Sequence, residues 1–151
     1  MLYEAAAWRP TPERPTFAQV LSDPAVARYL DGWGRRGDAG LIAEQDDDLV
    51  AAAWYRLFPE DLPGYGFVDE NIPEVTIGVR QDMRGRGIGA TLLEALSGHA
   101  RQSGFRALSL SVEIDNPAVR LYQRAGLVPL SQAENAWTMR IDLTRWPQGK
   151  G

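Results

Sequence analysis

Hydrophobic and polar positions along the chain follow two periods, one of which predicts strands and the other helices. Single alternation predicts strands at 40–44, 49–57, 74–80, 107–112, 127–130 and 137–143. Helical spacing predicts helices at 1–8, 16–21, 88–102 and 116–124, with a further one capped by Asp23 and Pro24. Helices alternate with strands only in the middle of the chain, and strands pair as hairpins at either end. This order predicts an α/β fold of the mixed α+β kind, built on one sheet.

Two connecting segments carry acidic side chains. The aspartates at 46–48 lie between two predicted strands, and they indicate a solvated hairpin turn rather than a metal site, because no other metal-ligand type lies near them in sequence. The segment 59–73 is a long loop rich in proline and glycine that carries Tyr65, Asp69 and Glu70. Long loops with aromatic and acidic side chains are often functional, so we expect this one to contribute to a site.

Composition narrows the class of protein. The 151 residues predict one domain over 1–147, followed by a polar tail at 148–151. A net charge of −4 argues against general nucleic-acid binding. The sequence has no cysteine, which excludes disulfides, thiolate metal sites and a cysteinyl acyl intermediate. No apolar run approaches the ~18 residues of a membrane span and no leader is visible, so we expect a cytoplasmic protein without a membrane partner.

A glycine-rich loop at 84–91 joins the predicted strand at 74–80 to the predicted helix at 88–102. Its sequence is Arg84-Gly85-Arg86-Gly87-Ile88-Gly89-Ala90-Thr91. Glycines let the backbone approach a ligand closely, and the first turn of a helix presents unpaired N–H groups and the positive end of its dipole. The loop therefore predicts a site for a phosphate or pyrophosphate, with two arginines adding positive charge.

Three known phosphate-binding loops can be compared with it. A P-loop requires Lys and Ser or Thr after its last glycine, and here Ala90 follows Gly89, so that class is excluded. A dinucleotide fingerprint is met in part by Gly85, Gly87 and Ala90, but four residues separate the strand from the first glycine. The third class is the acyl-coenzyme A loop, Arg/Gln-x-x-Gly-x-Gly/Ala, which the sequence fills at every position.

The segment 74–127 resembles the GNAT superfamily of N-acetyltransferases. Arg84, Gly87 and Gly89 supply the first motif, after a strand and before a Leu-rich helix. A second block, Asn116-Pro117-Ala118-Val119-Arg120-Leu121-Tyr122-Gln123-Arg124-Ala125-Gly126-Leu127, follows at the spacing usual in the family. GNAT domains usually begin with a β-strand, whereas this chain begins in a predicted helix, so either the usual first strand is missing or the numbering starts late.

The resemblance implies a fold, a cofactor and a reaction. The fold would be a mixed, mostly antiparallel sheet whose central strands splay apart around the pantetheine arm of acetyl-CoA. The reaction would be direct attack of a primary amine on acetyl-CoA in a ternary complex. The residues expected to contact the cofactor are Ile77, Gly78, Val79, Arg84, Gly85, Arg86, Gly87, Ile88, Gly89, Ala90, Thr91, Asn116 and Tyr122.

Acetyl transfer needs a donor that stabilises the oxyanion, and the leaving thiolate benefits from a proton donor. Gly78, at a predicted bulge, and Val79 are the candidates for the first role. The resemblance assigns the second to Tyr122, whose alternative is a buried aromatic on an amphipathic helix. It also makes Asn116 a cofactor contact, although the same residue can cap the helix that follows.

The general base is expected to be a carboxylate. The resemblance places Glu74 in that role at the head of the central strand, with Glu70 as the second candidate. His99, the only histidine, lies late in the helix far from the loop, so we expect it to be structural.

The acceptor is an unknown amine, and its site is expected among aromatic and acidic residues. The candidates are Trp33, Trp54, Tyr65 and Asp69, which would suit a cationic amine. Two alternatives remain open, an acyl-CoA-binding module without catalysis and a nicotinamide-dependent oxidoreductase. A homodimer is possible in this family, and we expect an edge strand at 137–143 that could support one.

Overall fold

The structure is a computed structural model that describes residues 2, 5, 19 and 22–145. Its strands are β1 (Ala39–Gln45), β2 (Asp48–Arg56), β3 (Glu74–Val79), β4 (Ala107–Glu113), β5 (Val128–Ala133) and β6 (Ala136–Asp142). Its helices are α1 (Pro24–Ala27), α2 (Ile88–Gln102) and α3 (Ala118–Arg124), with 3₁₀ turns at Gln81–Met83 and Leu143–Arg145. The strands form one sheet in the order β1-β2-β3-β4-β6-β5. Only β3 and β4 are parallel, so the predicted mixed and mostly antiparallel sheet is confirmed.

The hairpin of β1 and β2 forms where the acidic turn was predicted. Gln45 pairs with Asp48, which leaves a two-residue loop of Asp46 and Asp47. Both loop residues have positive φ, 54° and 66°, as a type I′ turn requires, and that turn matches the twist of an antiparallel pair. Across the described residues no group of three or more ligand-type side chains could hold a metal ion.

Helix α2 packs on one face of the sheet and builds the larger core. Its bounds, Ile88–Gln102, are those predicted, and its buried side includes Leu92, Leu96 and Ala100 from the predicted stripe. Leu93 is also buried, at 1% exposed, so the buried face is wider than the stripe. The face packs against the apolar side chains of β2, β3, β4 and β6, with α3 alongside.

A smaller core covers the opposite face of the sheet. It contains Leu2, Tyr29, Ala52, Trp54 and Phe58. Helix α1 begins as predicted, because the Asp23 side chain accepts a hydrogen bond from Ala25 N–H at 2.9 Å and Pro24 occupies its first position.

The N-terminal predictions lie almost entirely outside the described residues. Of the helices predicted at 1–8 and 16–21, only residues 2, 5 and 19 are described, and these are helical. The polar tail predicted at 148–151 is also outside. Within the described ranges the first strand begins at Ala39.

The two central strands diverge soon after they meet. The β3–β4 ladder consists of one pair, Glu74 with Ser109. Beyond it β3 keeps its full pairing with β2 as far as Val79, and β4 keeps its pairing with β6 as far as Glu113. The strands therefore open into a wedge, closed at Glu74 and open towards Val79, as the predicted splay requires.

One strand prediction is wrong. The segment predicted as an edge, 137–143, corresponds to β6, which lies between β4 and β5 inside the sheet. The edge on that side is β5, whose residues are all exposed. Alternation alone cannot show which strand of the β5–β6 hairpin lies inside the sheet, because that depends on which of the two pairs with β4. In the part of the chain that is described, every helix is too short or too polar to cross a membrane.

Candidate active site

The backbone of β3 lines one side of the wedge. Arg80 N–H donates to Val50 O at 2.8 Å, and hydrogen-bonded pairs alternate along an antiparallel ladder. Gly78 therefore directs its N–H and C=O at Ala52 on β2, whereas Ile77 and Val79 direct theirs into the wedge. The register passes Gly78 without a shift, so the predicted bulge is absent.

The same alternation applies to β4. Leu143 N–H donates to Arg106 O at 2.8 Å, and Ile114 N–H donates to Asn135 O at 2.9 Å. Even-numbered residues of β4 therefore bond β6, and Ser111 turns its backbone groups towards the wedge. A wedge with peptide groups on both sides can bind an extended chain that carries amide groups of its own.

The glycine-rich loop lies beyond the open end of the wedge. Gly85 and Gly87 have φ of 78° and 81°, a conformation that other residues adopt only with strain, and a Cβ added at either would meet nothing within 4 Å. Gly87 is the N-cap of α2, and no side chain caps the helix. The N–H groups of Ile88, Gly89 and Ala90 have no intrahelical partner and form a site for an anion.

Other residues of the loop hold it in place. Arg84 Nε donates to Val79 O at 3.0 Å, which ties the loop to the end of β3. Thr91 donates from Oγ1 to Gly87 O at 3.0 Å. A Cβ at Gly89 would lie 3.3 Å from the Leu121 side chain, so this glycine lets α2 approach α3.

A pocket of about 250 Å³ opens beside the loop. It is lined by Arg86, Gly87, Ile88, Thr91 and Leu92, with Ala43 from β1. Four of these six were predicted to contact a cofactor. Arg86 is exposed and can add its charge to that of the helix N-terminus.

Asn116, just before α3, and Tyr122, within it, are held in different ways. Asn116 Oδ1 accepts a hydrogen bond from Ala118 N–H, the first N–H of α3, at 2.9 Å. Tyr122 is 9% exposed and packs in the larger core beside α2. Burial raises the pKa of Tyr122 to about 12. The side chain is therefore a neutral phenol at physiological pH and carries the proton that the predicted role of donor requires.

Glu74 occupies the closed end of the wedge. Its side chain is 2% exposed, and Oε1 accepts a hydrogen bond from Gly66 N–H. The Tyr29 hydroxyl lies beside the carboxylate. Burial raises the pKa of Glu74 to about 7, although hydrogen bonding to Tyr29 and Gly66 acts in the opposite direction. A carboxyl group with a pKa near neutrality can accept a proton at physiological pH and release it again.

The loop 59–73 covers this carboxylate with glycine backbone. A Cβ at Gly66 would lie 2.5 Å from Glu74 Oε1 and 2.6 Å from Ser111 N, so no larger residue fits there. The Tyr29 hydroxyl accepts a hydrogen bond from Tyr65 N–H at 2.8 Å and anchors the same loop. Burial, followed by the charge of Glu74, raises the pKa of Tyr29.

The predicted acceptor residues do not form one group. Trp54 is 5% exposed, and its Nε1 donates to Tyr29 O at 3.1 Å, so it is a core residue rather than part of an open acceptor site. Tyr65 is 61% exposed and stacks on Tyr29, with ring centroids 6.4 Å apart. Trp33 is 47% exposed and packs over the Arg56 guanidinium at 5.4 Å.

Arg56 is a buried cation that sequence patterns do not single out. It is fully buried and donates two hydrogen bonds to Asp38, at 2.9 and 2.7 Å. Burial of Asp38 acts in the opposite direction, yet the Arg56 hydrogen bond holds the pKa of that carboxyl below its usual value. Arg56 also donates to Arg28 O and Asp31 O, so it secures the turn after α1.

A second pocket, of about 340 Å³, is acidic. It is lined by Glu60, Phe67, Val68, Asp69, Glu70 and Asn71. Asp69 and Glu70 are both exposed, whereas Glu74 lies under the glycine backbone. Glu70 is solvated and Glu74 is buried, which favours Glu74 as the general base. Glu70 lines the acidic pocket.

His99 lies away from both pockets. Its Nδ1 is 2.8 Å from the Tyr55 hydroxyl, which joins α2 to β2. This contact agrees with the predicted structural role.

The sequence of this chain matches a known protein family and several curated relatives. The model of the acetyltransferase (GNAT) family matches residues 3–127, most of the chain. The chain belongs to the GNAT acetyltransferase family. Mycothiol acetyltransferase of Corynebacterium aurimucosum is 33% identical over 105 residues, covering 69% of this chain and 31% of that protein. The chain spans about a third of the length of the curated relatives it matches.

Solved GNAT structures share the fold. Ribosomal-protein-alanine N-acetyltransferase from Brucella melitensis has a TM-score of 0.62 and 27% identity, covering 77% of this chain and 75% of that one. The paia N-acetyltransferase from Thermoplasma acidophilum, solved with coenzyme A, has a TM-score of 0.57 and 17% identity, covering 70% and 60%. The predicted family, GNAT acetyltransferase, and its fold are confirmed. The open backbone at Gly85 and Gly87 leaves room for a pyrophosphate such as that of coenzyme A.

Proposed function

We propose that this protein transfers an acetyl group from acetyl-CoA to a primary amine by direct attack within a ternary complex. The observation that carries the proposal is the wedge. Its open end leads to a phosphate-binding loop, and its closed end holds a buried carboxyl group with a pKa near neutrality. Acetyl-CoA supplies the activated acetyl group, and the chain supplies binding and proton transfer.

The cofactor would be held by backbone groups. The N–H groups of Ile88, Gly89 and Ala90 would bind the pyrophosphate, with Arg86 as a counter-charge. The direction of the peptide groups favours Val79 rather than Gly78 as the oxyanion donor, because Gly78 N–H is directed at β2.

Glu74 and Tyr122 would carry the protons. Glu74, as carboxylate, would remove a proton from the acceptor's ammonium group, which frees the lone pair for attack. Tyr122, a neutral phenol at physiological pH, would donate a proton to the thiolate that leaves. The side chains of Glu74 and Tyr122 lie on opposite faces of the sheet, so each would act from its own side of the wedge.

The acidic pocket supports a cationic acceptor. Glu60, Asp69 and Glu70 concentrate negative charge near a half-buried ring, that of Phe67. Two relatives with different names, a mycothiol acetyltransferase and a ribosomal-protein-alanine N-acetyltransferase, show that acceptors vary in this family. We therefore propose a primary amine of a small molecule or a peptide as the acceptor class.

Calorimetric titration with acetyl-CoA, beside CoA and NAD, tests the proposal first. We expect binding heat on titration with acetyl-CoA and with free CoA. We expect none with NAD, because the loop lacks the spacing of a dinucleotide fingerprint. A steady-state assay of CoA release then uses spermidine, glucosamine and an alanine-terminated peptide as probes. Absence of acetyl-CoA binding would refute the site. Binding without turnover on any amine would favour a sensing module instead.

A further inference from the structure

Tyr29 is a buried tyrosine to which the proposed reaction gives no role. Its side chain is 7% exposed, and its hydroxyl accepts a hydrogen bond from Tyr65 N–H at 2.8 Å. The Tyr65 ring itself is 61% exposed. A tyrosine hydroxyl is a donor as well as an acceptor, so the proton of Tyr29 is still available to a second partner.

The Tyr29 hydroxyl lies against Oε2 of Glu74. A Cβ added at Gly64 would overlap Oε2 and would lie 2.8 Å from the Tyr29 hydroxyl oxygen, so both oxygens border the same point. Oε2 is buried and closes no hydrogen bond of regular geometry with the described residues. The Tyr29 hydroxyl still acts on Glu74 as a donor and lowers its pKa, against the larger effect of burial.

The same hydroxyl connects the carboxylate to the loop that covers it. Gly66 N–H donates to Oε1 of Glu74, and the Tyr29 hydroxyl borders Oε2. Because Tyr65 N–H bonds this hydroxyl, the loop 59–73 is tied both to Glu74 and to the tyrosine beside it. One hydroxyl therefore bears on the orientation of the carboxylate and on its cover.

The backbone around Tyr29 is held by side chains of β2. Trp54 Nε1 donates to Tyr29 O at 3.1 Å. Arg56 Nη1 donates to Arg28 O at 3.0 Å and to Asp31 O at 2.6 Å, on either side of Tyr29 in the chain. A buried guanidinium contributes little net stability, so we take these two bonds as a means of fixing the turn that carries Tyr29.

We propose that Tyr29 is a positioning residue of the reaction, whose hydroxyl orients the Glu74 carboxylate by donating to Oε2 and holds the loop 59–73 over it. The inference rests on the proposed function, in which Glu74 is the general base. An ionised carboxylate gains more from such a donor than a neutral acid does, so the hydroxyl opposes the effect of burial on the base. A base keeps its working geometry only when supporting hydrogen bonds fix it.

The charged groups on the neighbouring elements do not take this role. Arg28 acts on Glu74 at longer range. Arg56 is opposite Glu74 in the β2–β3 ladder, but its guanidinium is bound to Asp38. The acidic residues of the loop 59–73 are exposed, and β4 places a serine opposite Glu74.

The first test measures the pKa of Glu74 by NMR titration of its side-chain carboxyl carbon in ¹³C-labelled protein. Tyr29→Phe removes the hydroxyl and keeps the ring. We expect the pKa of Glu74 to rise by about one unit, because the charged form loses a hydrogen bond. An unmoved Glu74 pKa would overturn the inference, whether or not the enzyme is active.

Tyr55→Phe is the matched control. Tyr55 is 1% exposed, and its hydroxyl lies 2.8 Å from His99 Nδ1 on the α2 side of the sheet. This variant loses the same atom from a buried tyrosine and should leave the pKa of Glu74 unchanged. An equal rise in both variants would show that the effect is not specific to Tyr29 and would overturn the inference.

A measurement on the wild-type chain does not depend on the folding of a variant. In protein labelled with ¹³C at the tyrosine Cζ, the Tyr29 resonance should shift with the midpoint of Glu74, about pH 7, because protonation of Oε2 changes the acceptor of its hydroxyl. A Tyr29 resonance that stays constant between about pH 5 and pH 9 would contradict the contact.

The second readout is the pH profile of kcat on whichever probe amine is turned over. With the pKa of Glu74 one unit higher, kcat of Tyr29→Phe should be about fivefold lower at pH 7 and close to the wild-type value at pH 9, with an unchanged KM for acetyl-CoA. The same loss at both pH values would make Tyr29 a structural residue only. An active Glu74→Gln would instead overturn the proposed base, so the two failures are separable.

Discussion

The glycine-rich loop and the Glu74 site are assembled in different ways. The loop is eight consecutive residues, and the groups proposed to bind a phosphate are its backbone N–H groups, fixed by two positive φ angles. The Glu74 site brings together Tyr29, Gly66, Glu74 and Ser109, which span 81 positions of the chain. The loop is open to solvent, whereas the carboxylate is almost fully buried.

This difference follows from the role proposed for each region. An anion is bound by dipoles that need only local backbone geometry, and exposure lets a large ligand enter. A carboxylate that accepts a proton near neutrality needs a raised pKa, and burial against distant segments raises the pKa of Glu74. Mutations at the loop should therefore change affinity, and mutations at Glu74 should change turnover.

The largest expected effect is on turnover. Glu74→Gln keeps the shape and the acceptor for Gly66 N–H but removes the base, so kcat should fall by about 10²–10⁴-fold. Steady-state CoA release measures it, and the affinity for acetyl-CoA measured by calorimetry should be unchanged. An unchanged kcat would show that Glu74 is not the general base and would favour Glu70, the second candidate.

Burial of Glu74 should also make stability depend on pH. Its pKa rises from 4.5 to about 7 on folding, so between these values the native state binds a proton that the unfolded state has released. The free energy of unfolding should therefore fall as pH increases from 4.5 to 7, by roughly 3 kcal/mol for this group, since one pKa unit is about 1.4 kcal/mol. Urea unfolding at several pH values measures the slope. Glu74→Gln should flatten it, and an equal slope in that variant would assign it to other groups.

A substitution in the glycine-rich loop should change the affinity for acetyl-CoA and leave the proton-transfer groups unchanged. Gly87→Trp puts an indole at the start of α2 and strains a positive φ, so the affinity for acetyl-CoA should fall about 100-fold or more, equivalent to ~2.7 kcal/mol. Gly98→Trp is the control, because this glycine lies on the same helix with open space around its Cβ position and no positive φ. Calorimetry compares the two. Equal affinities would show that the loop does not bind the cofactor.

The smallest effect is expected at Tyr122. Tyr122→Phe removes only the hydroxyl, and a thiolate leaves readily without help, so kcat should fall about tenfold with little change in affinity. Stopped-flow measurement of a single turnover isolates the step. An unchanged rate would leave Tyr122 as a core residue of α3.

Much of the fold was predictable because its signals are local. The bounds of α2, the two-residue turn at Asp46 and Asp47, and the cap at Asp23 each depend on neighbours within a few positions. The predictions that failed depend on pairing. The internal position of β6, the regular ladder at Gly78 and the burial of Trp54 are set by which strand or core lies opposite.

The candidate site divides in the same way. The sequence by itself determined the glycine-rich loop and the family, because a glycine-rich turn before a helix is written in consecutive residues. Only the tertiary structure decided that the wedge closes at Glu74 and that Gly66 and Tyr29 cover this carboxylate. The physical reason is that a pKa is a property of an environment, and distant segments create that environment when the chain folds.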